Sequence, residues 1–403
     1  MSLVEVKIGD LGKVITGNTP PKKDPSNYDG TYPFIKPTDM DIDKRYVTKW
    51  DENYSEKAYH RYHRSYIPSG ATGVVTIGTV GEKLFQAHQH CFTNQSVNVI
   101  IPNDKYYDDY VFYLMKLNLP KVESANPGTA SGRHHVSKSN FCSIKVNVIE
   151  SIDSQKRIAD ILSAYDDLIE NNLKRIKLLE QAAQNIYKEW FVNLRFPGYE
   201  NISINEETGL PVGWKKVKIR EFAKINGRSI KKGKSPVFVN YIDISSVGSG
   251  YYEKPKKIAF KDAPSRARRI VENGDSIFST VRPNRKTYAF ILNPKENLTA
   301  STGFAVISPK HEYDASFLYF TISKNTFVDE TVALATGTAY PAINQKSFES
   351  IEIIVPSEQL IISFDSIVIK LLKSKSVLSN QNEKLKEGRD ILLPRLMNRT
   401  IEV

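Results

Sequence analysis

Residues 154–193, SQKRIADILSAYDDLIENNLKRIKLLEQAAQNIYKEWFVN, decide the fold. The stretch holds neither Gly nor Pro, and Tyr165, Ile169, Asn172, Ile176, Leu179, Ala183, Ile186 and Trp190 recur at alternating four- and three-residue steps. Such steps keep one stripe in line along a helix and read as a coiled-coil seam. Asp166, Asp167, Glu170, Lys174, Arg175, Lys177 and Glu180 are expected to cover the outer faces, and Pro197-Gly198 stops the helix. A second series near the end of the chain runs Phe364, Val368, Leu371, Lys375, Leu378, Asn382, Leu385, Arg389, Leu392, Leu396. Gly388 and Pro394 are expected to loosen its last part and put its straightness in question. Each helix is roughly 40 residues, or about 60 Å long. Two such helices in one chain predict antiparallel pairing. Each seam carries one Asn, Asn172 and Asn382, which either fixes register from within the seam or flanks it and reaches solvent.

Outward from the helices the chain repeats itself. Val4-Glu5-Val6-Lys7-Ile8-Gly9-Asp10 is matched by Trp214-Lys215-Lys216-Val217-Lys218-Ile219-Arg220-Glu221-Phe222. Gly70 before Val74-Val75-Thr76-Ile77-Gly78 is matched by Gly274 before Ile277-Phe278-Ser279-Thr280-Val281, each a turn feeding a buried strand. Gly128-Thr129-Ala130 before Phe141 is matched by Gly337-Thr338-Ala339 before Phe348. The offset is roughly 200 residues, far beyond the ~20–50 residue period of solenoids. The order predicted is therefore globular domain 1–152, helix 153–196, globular domain 197–356 and helix 357–403. The short apolar runs broken by Gly, Pro, Asn and Asp, with short helices expected at 107–116 and 315–324, give each domain an α+β character. Antiparallel helices then relate the copies by a pseudo-twofold axis, with the domains at opposite ends of a rod.

The 403 residues carry 56 Lys and Arg against 45 Asp and Glu, a formal charge of +11, which favours a polyanionic partner, nucleic acid first. No apolar run reaches membrane-spanning length, and MSLVEVKIGDLGKV lacks the pattern of a secretory signal, so a cytoplasmic location with no membrane partner is expected. Two cysteines, Cys91 and Cys142, rule out a disulfide scaffold. Cations gather in loops. In the first domain the candidates for nucleic-acid contact are Lys36, Arg61, His63, Arg64, Lys83, Arg133, His134 and His135. In the second they are Arg228, Arg266, Arg268, Arg282, Asn284, Arg285, Lys286 and Tyr340. Lysines supply sequence-blind attraction to phosphates, while Arg, Asn, His and Tyr in loops can reach base edges. Arg282-Pro283-Asn284-Arg285-Lys286 follows a buried strand and reads as a presented loop tip. His134-His135 reads as base contact, as a structural pair or as plain exposure.

Catalytic signatures fail. Gly227 to Gly233 has five residues between its glycines where a phosphate-binding loop needs four. His60, His63, His88 and His90 lack the cysteine or carboxylate spacing of a metal site. There is no nucleophile elbow, no adenine-methyltransferase Asn/Asp-Pro-Pro-Tyr/Phe segment, and no Pro-Asp dipeptide of a nuclease. The expectation is a chain with no enzymatic activity and no metal.

The segments Glu180-Gln181-Ala182-Ala183-Gln184-Asn185-Ile186-Tyr187-Lys188-Glu189-Trp190-Phe191-Val192-Asn193 and Arg389-Asp390-Ile391-Leu392-Leu393-Pro394-Arg395-Leu396-Met397, set in this architecture, resemble the specificity subunit of Type I restriction-modification systems. The resemblance covers essentially the whole chain. It implies two target-recognition domains, each reading one half of a split, asymmetric double-stranded DNA target. It implies that Ile169, Asn172, Ile176, Leu179, Leu371, Leu378, Asn382 and Leu385 belong to spacer helices. It further implies two methyltransferase subunits carrying S-adenosylmethionine, and a restriction motor–nuclease subunit using ATP and magnesium, with no cofactor in this chain. The rival expectations are a coiled-coil adaptor without sequence reading, the recognition subunit of another bipartite restriction class, and an enzyme whose centre went unrecognised.

Overall fold

The computed structural model describes residues 3–126, 134–231 and 233–403. The chain divides into two units, Met1–Lys174 with Ser379–Val403, and Arg175–Leu378. Each unit builds a four-stranded antiparallel sheet from its β-branched runs. The first orders Gly12–Thr16, Val97–Pro102, Thr72–Val75 and Leu84–Gln86 side by side. The second orders Ala223–Ile225, Phe304–Pro309, Ser276–Ser279 and Tyr288–Phe290 in the same way. The central strands Thr72–Val75 and Ser276–Ser279 are buried along their whole length, as expected for strands covered on both faces.

Each unit has a further sheet, three-stranded in the first and four-stranded in the second, and the shared pairings repeat as well. Tyr28–Ile35 pairs antiparallel with Glu52–Tyr54 and parallel with Phe92–Thr93. Phe238–Ile242 pairs antiparallel with Lys256–Ala259 and parallel with Leu298–Ser301. The two matched openings of the repeat are strands: Leu3–Lys7 pairs with Lys145–Ile149, and Lys215–Lys218 with Glu352–Val355. Duplication is thus a property of topology and not only of scattered short matches. The expected helix at 107–116 runs longer, Asp108–Ser124, because Leu114, Leu119 and Val122 continue its buried stripe past Pro120. The one at 315–324 is Ala315–Ser323, followed by a second helix, Asn325–Ala333.

Both long helices span 40 residues, Ile152–Phe191 and Glu358–Met397. In the first unit Asn172 donates from Nδ2 to Oδ1 of Asn382 at 2.9 Å, and Arg389 meets Asp166. In the second unit Lys375 meets Glu180, and Phe364 packs on Phe191 with ring centroids 4.9 Å apart. Within each unit one number falls as the other rises, so the pairing is antiparallel. The seam residues behave accordingly: Ile169, Asn172, Leu378 and Asn382 are buried, and Ile176, Leu179, Leu371 and Leu385 are half-buried. Both asparagines lie inside the seam rather than beside it.

Two expectations need correction. The second helix is not interrupted at Gly388 or Pro394. A Cβ on Gly388 would meet Cε1 of Tyr165 at 3.2 Å, so glycine there admits a close helix approach. Around Pro394 the burial of Leu393, Leu396 and Met397 in the first unit's core holds the last turns. Asp166 is also not an outer-face residue. It is buried, accepting from Arg389 and from the Tyr113 hydroxyl at 2.6 Å, and those partners replace the hydration it gives up. Glu180 is likewise half-buried against Lys375.

Loops are tied down onto the helices in each unit. Arg45, 5 % exposed, reaches Asp109 and donates to Ser163 Oγ at 2.6 Å, and Lys386 meets Asp43 at 2.7 Å. In the second unit Lys375 donates to the Gly250 carbonyl at 2.7 Å.

Candidate nucleic-acid interface

The strand Ser276–Ser279 leads into a loop that is zipped to a second loop far along the chain. Ile343 donates to Thr280 O at 2.9 Å, Arg282 donates from its backbone to Pro341 O at 2.7 Å, and Val281 bridges Ala342. The first unit repeats this zipper: Val136 donates to Thr76 O at 2.8 Å, Gly78 to His134 O at 3.0 Å, and Ile77 bridges His135. Each second loop then enters a short capped helix, with Ser137 accepting from Asn140 N and Asn344 from Ser347 N. In the second unit the structure therefore joins two sequence features that the repeat left separate, the post-strand turn and the Gly337-Thr338-Ala339 loop.

The frames agree while the tips differ. Gly78 and Arg282 occupy the same place, and both are left-handed, at φ 89° and 50°. Glycine is at ease there, whereas a side chain costs about 1–3 kcal/mol. The Arg282 guanidinium lies 4.2 Å from the centroid of the Tyr340 ring, and its Nη2 donates to Ala339 O at 3.1 Å. Tyr340 is 69 % exposed. Asn284 and Arg285 are exposed on the turn Pro283–Arg285, and Lys286 donates to Asn325 Oδ1 at 2.9 Å. On the first unit's tip His134 and His135 are exposed, and the His135 backbone donates to Asn126 Oδ1 at 3.1 Å. Arg133 and the Gly128-Thr129-Ala130 loop lie outside the described residues.

The further sheet of each unit diverges in chemistry from its counterpart. The first carries tyrosines: Tyr32 stacks on Tyr59 at 4.5 Å, and Tyr66 lies 4.7 Å from Phe92. The Tyr32 hydroxyl donates to Glu56, which with some burial pushes its phenol up to about 12. Arg61, His63 and Arg64 are exposed around this cluster, with Arg61 5.5 Å from the Tyr62 ring. The second sheet carries cations on rings: Lys257 over Phe238 at 4.2 Å and Arg268 over Phe260 at 4.9 Å. Arg266 is exposed beside it. Arg269 belongs to the same basic run of the sequence as Arg266 and Arg268. Its Nε is buried without a hydrogen-bond partner among the described residues, and burial pulls its guanidinium below the usual arginine value.

Three candidates are committed within the fold. Arg228 is fastened by Nη2 to both oxygens of buried Asp275, at 2.8 and 2.6 Å, and by Nη1 to Glu272 at 3.0 Å. Lys36 meets Glu52 at 3.2 Å. Lys83 donates to Pro37 O at 2.9 Å. Their charge was visible in the sequence, and their partners were not.

These features define a class, a duplicated α+β module that presents one zipped loop pair per copy and runs into a long helix. The chain belongs to the Type I restriction-modification DNA specificity family, whose model, "Type I restriction modification DNA specificity domain", matches residues 2–181 and 211–381. A Type I restriction enzyme MjaIX specificity subunit from Methanocaldococcus jannaschii is 26% identical, over 97% of this chain and 91% of that protein. The HindI specificity subunit of Haemophilus influenzae is 21% identical over 75% of this chain and 78% of that protein. The fold is that of a crystal structure of a Type I restriction-modification S subunit from M. genitalium, with a TM-score of 0.63, 16% identity, and coverage of 98% of this chain and 96% of that one. No helix among the described residues is long and apolar enough to cross a membrane.

Proposed function

We propose that this chain gives a Type I restriction-modification complex its DNA sequence specificity, each unit reading one half of a bipartite, asymmetric target. The carrying observation is one loop frame built twice with different tips, Gly78 and His134 in one copy and Arg282 and Pro341 in the other. Identical frames offer the same approach to a duplex, and different side chains read different bases. Two identical tips would instead have called for a palindrome.

The helix pair sets the number of bases between the half-sites, and the chain docks two methyltransferase subunits and, through the complex, restriction motor–nuclease subunits. S-adenosylmethionine, ATP and magnesium reside on those partners, and this chain supplies recognition in the cytoplasm without an active site of its own. Methylome sequencing of cells with and without this chain, its partner subunits present in both, tests the proposal. The expected result is a single two-part asymmetric motif that depends on the chain. No chain-dependent motif, or equal affinity of the complex for random and target duplexes at moderate salt, overturns it in favour of an adaptor.

A further inference from the structure

We infer that Arg282, held by the ring of Tyr340, reads a guanine in the half-site recognised by the second unit. The inference rests on the DNA-reading function above and names the base that this loop takes.

The backbone at residue 282 suits glycine, which is what the first unit places there as Gly78, where a Cβ would have open space. Arginine at a left-handed position is therefore not explained by packing of its backbone. What the side chain does is visible: the guanidinium lies over an exposed tyrosine ring and is steered by one bond from Nη2 to Ala339 O. No carboxylate is paired with Arg282 among the described residues. One N–H of Nη2, both of Nη1 and that of Nε remain for a ligand, a planar fork that matches O6 and N7 of guanine in the major groove. The fork is also held ready. Thr336 and Ala342 exchange backbone hydrogen bonds at 2.9 Å in both directions, closing a tight loop that carries Tyr340 at its tip. A stacked, preformed arginine loses less freedom on binding than a free one. Tyr340 is accordingly a positioning residue, acting through Arg282.

The test is methylome sequencing of cells that express the full complex with the wild-type chain, Arg282→Gly, Arg282→Lys, Tyr340→Phe or Tyr340→Ala, beside the melting temperature of each purified chain. The wild type is expected to require a G·C pair in the second half-site. Arg282→Gly keeps or raises the melting temperature and lowers discrimination at that pair by about tenfold or more, leaving the first half-site unchanged. Arg282→Lys loses the same discrimination because it keeps the charge without the fork. Tyr340→Phe retains it and Tyr340→Ala loses part of it. A second half-site lacking G·C, undiminished discrimination in Arg282→Gly, or uniform weakening at every position with rescue by Arg282→Lys, overturns the inference and makes Arg282 a phosphate contact or a bystander. A wild-type complex without any two-part motif overturns the underlying reading as well.

Discussion

Asn172 and Asn382, 210 residues apart, form a buried side-chain hydrogen bond of 2.9 Å between the two long helices within the first unit. Asn382 also donates to Ile169 O at 3.3 Å. In a seam otherwise dominated by apolar side chains such a pair lowers stability and raises the cost of any other register, because a slip would bury each amide against hydrocarbon. Replacing both with leucine is expected to raise stability by about 1 kcal/mol while relaxing the preferred spacing between half-sites. Replacing Asn172 alone is expected to lower stability by about 1–3 kcal/mol, since the Asn382 carbonyl oxygen stays buried without its donor. Denaturation midpoints and a binding series over targets of different spacing check both. Unchanged spacing preference in the double variant speaks against a register role.

Arg389, 1 % exposed, faces Asp166 in the same unit, and Tyr113 completes the carboxylate's hydrogen bonds. The neighbourhood is rich in charge, and burial together with Arg389 holds the Lys116 amine below its usual value. Arg389→Leu strands a buried carboxylate and is expected to cost about 3–5 kcal/mol. Adding Asp166→Leu is expected to restore much of that, because an apolar pair needs no hydration replaced. Thermal melts of the two variants decide it, and equal melting temperatures would mean that Asp166 is solvated.

These two pairs also mark where reading a sequence stops. The seam was legible because a helix repeats every 3.6 residues, so Ile169, Asn172, Leu378 and Asn382 could be placed on one stripe from spacing alone. Asp166 was not, because its partners Arg389 and Tyr113 lie 223 and 53 residues away and nothing local announces them. The basic loops divide in the same manner. Arg282 and Arg228 both stand in basic loops of the second domain, yet one meets an exposed ring and the other a buried carboxylate. Charge is a property of one residue, and a site is a property of a pair. Topology alone supplies the zipper that brings residue 282 to residue 341.

Arg228 and Arg266 should separate cleanly in experiment. Arg228→Ala removes the ion pair of Asp275, whose side chain is 2 % exposed, and is expected to cost about 1–3 kcal/mol of stability. Arg266 is exposed, so Arg266→Ala is expected to leave stability within about 0.5 kcal/mol. Its effect falls on the duplex: weaker binding across all sequences, with the salt slope of affinity reduced by about 1. Melting temperatures and affinities at several salt concentrations measure both. A salt slope altered by Arg228→Ala and not by Arg266→Ala would reverse the assignment.

Asp43 gives the acid response of the first unit a defined sign. Burial pushes its carboxyl up, but the 2.7 Å bond from Lys386 and the charges of Lys386, Arg389 and Lys116 outweigh it, and the net shift is downward. A carboxyl lowered in the folded state stabilises the fold above its unfolded value and loses that contribution as pH falls through its folded value. Both partners are partly exposed, which limits the contribution to less than about 1 kcal/mol. The stability difference between wild type and Asp43→Asn should therefore be flat above about pH 5 and shrink as pH drops below about 4. Urea midpoints of the two chains across that range supply the measurement. A difference that grows toward acid would mean that burial, and not Lys386, governs this carboxyl.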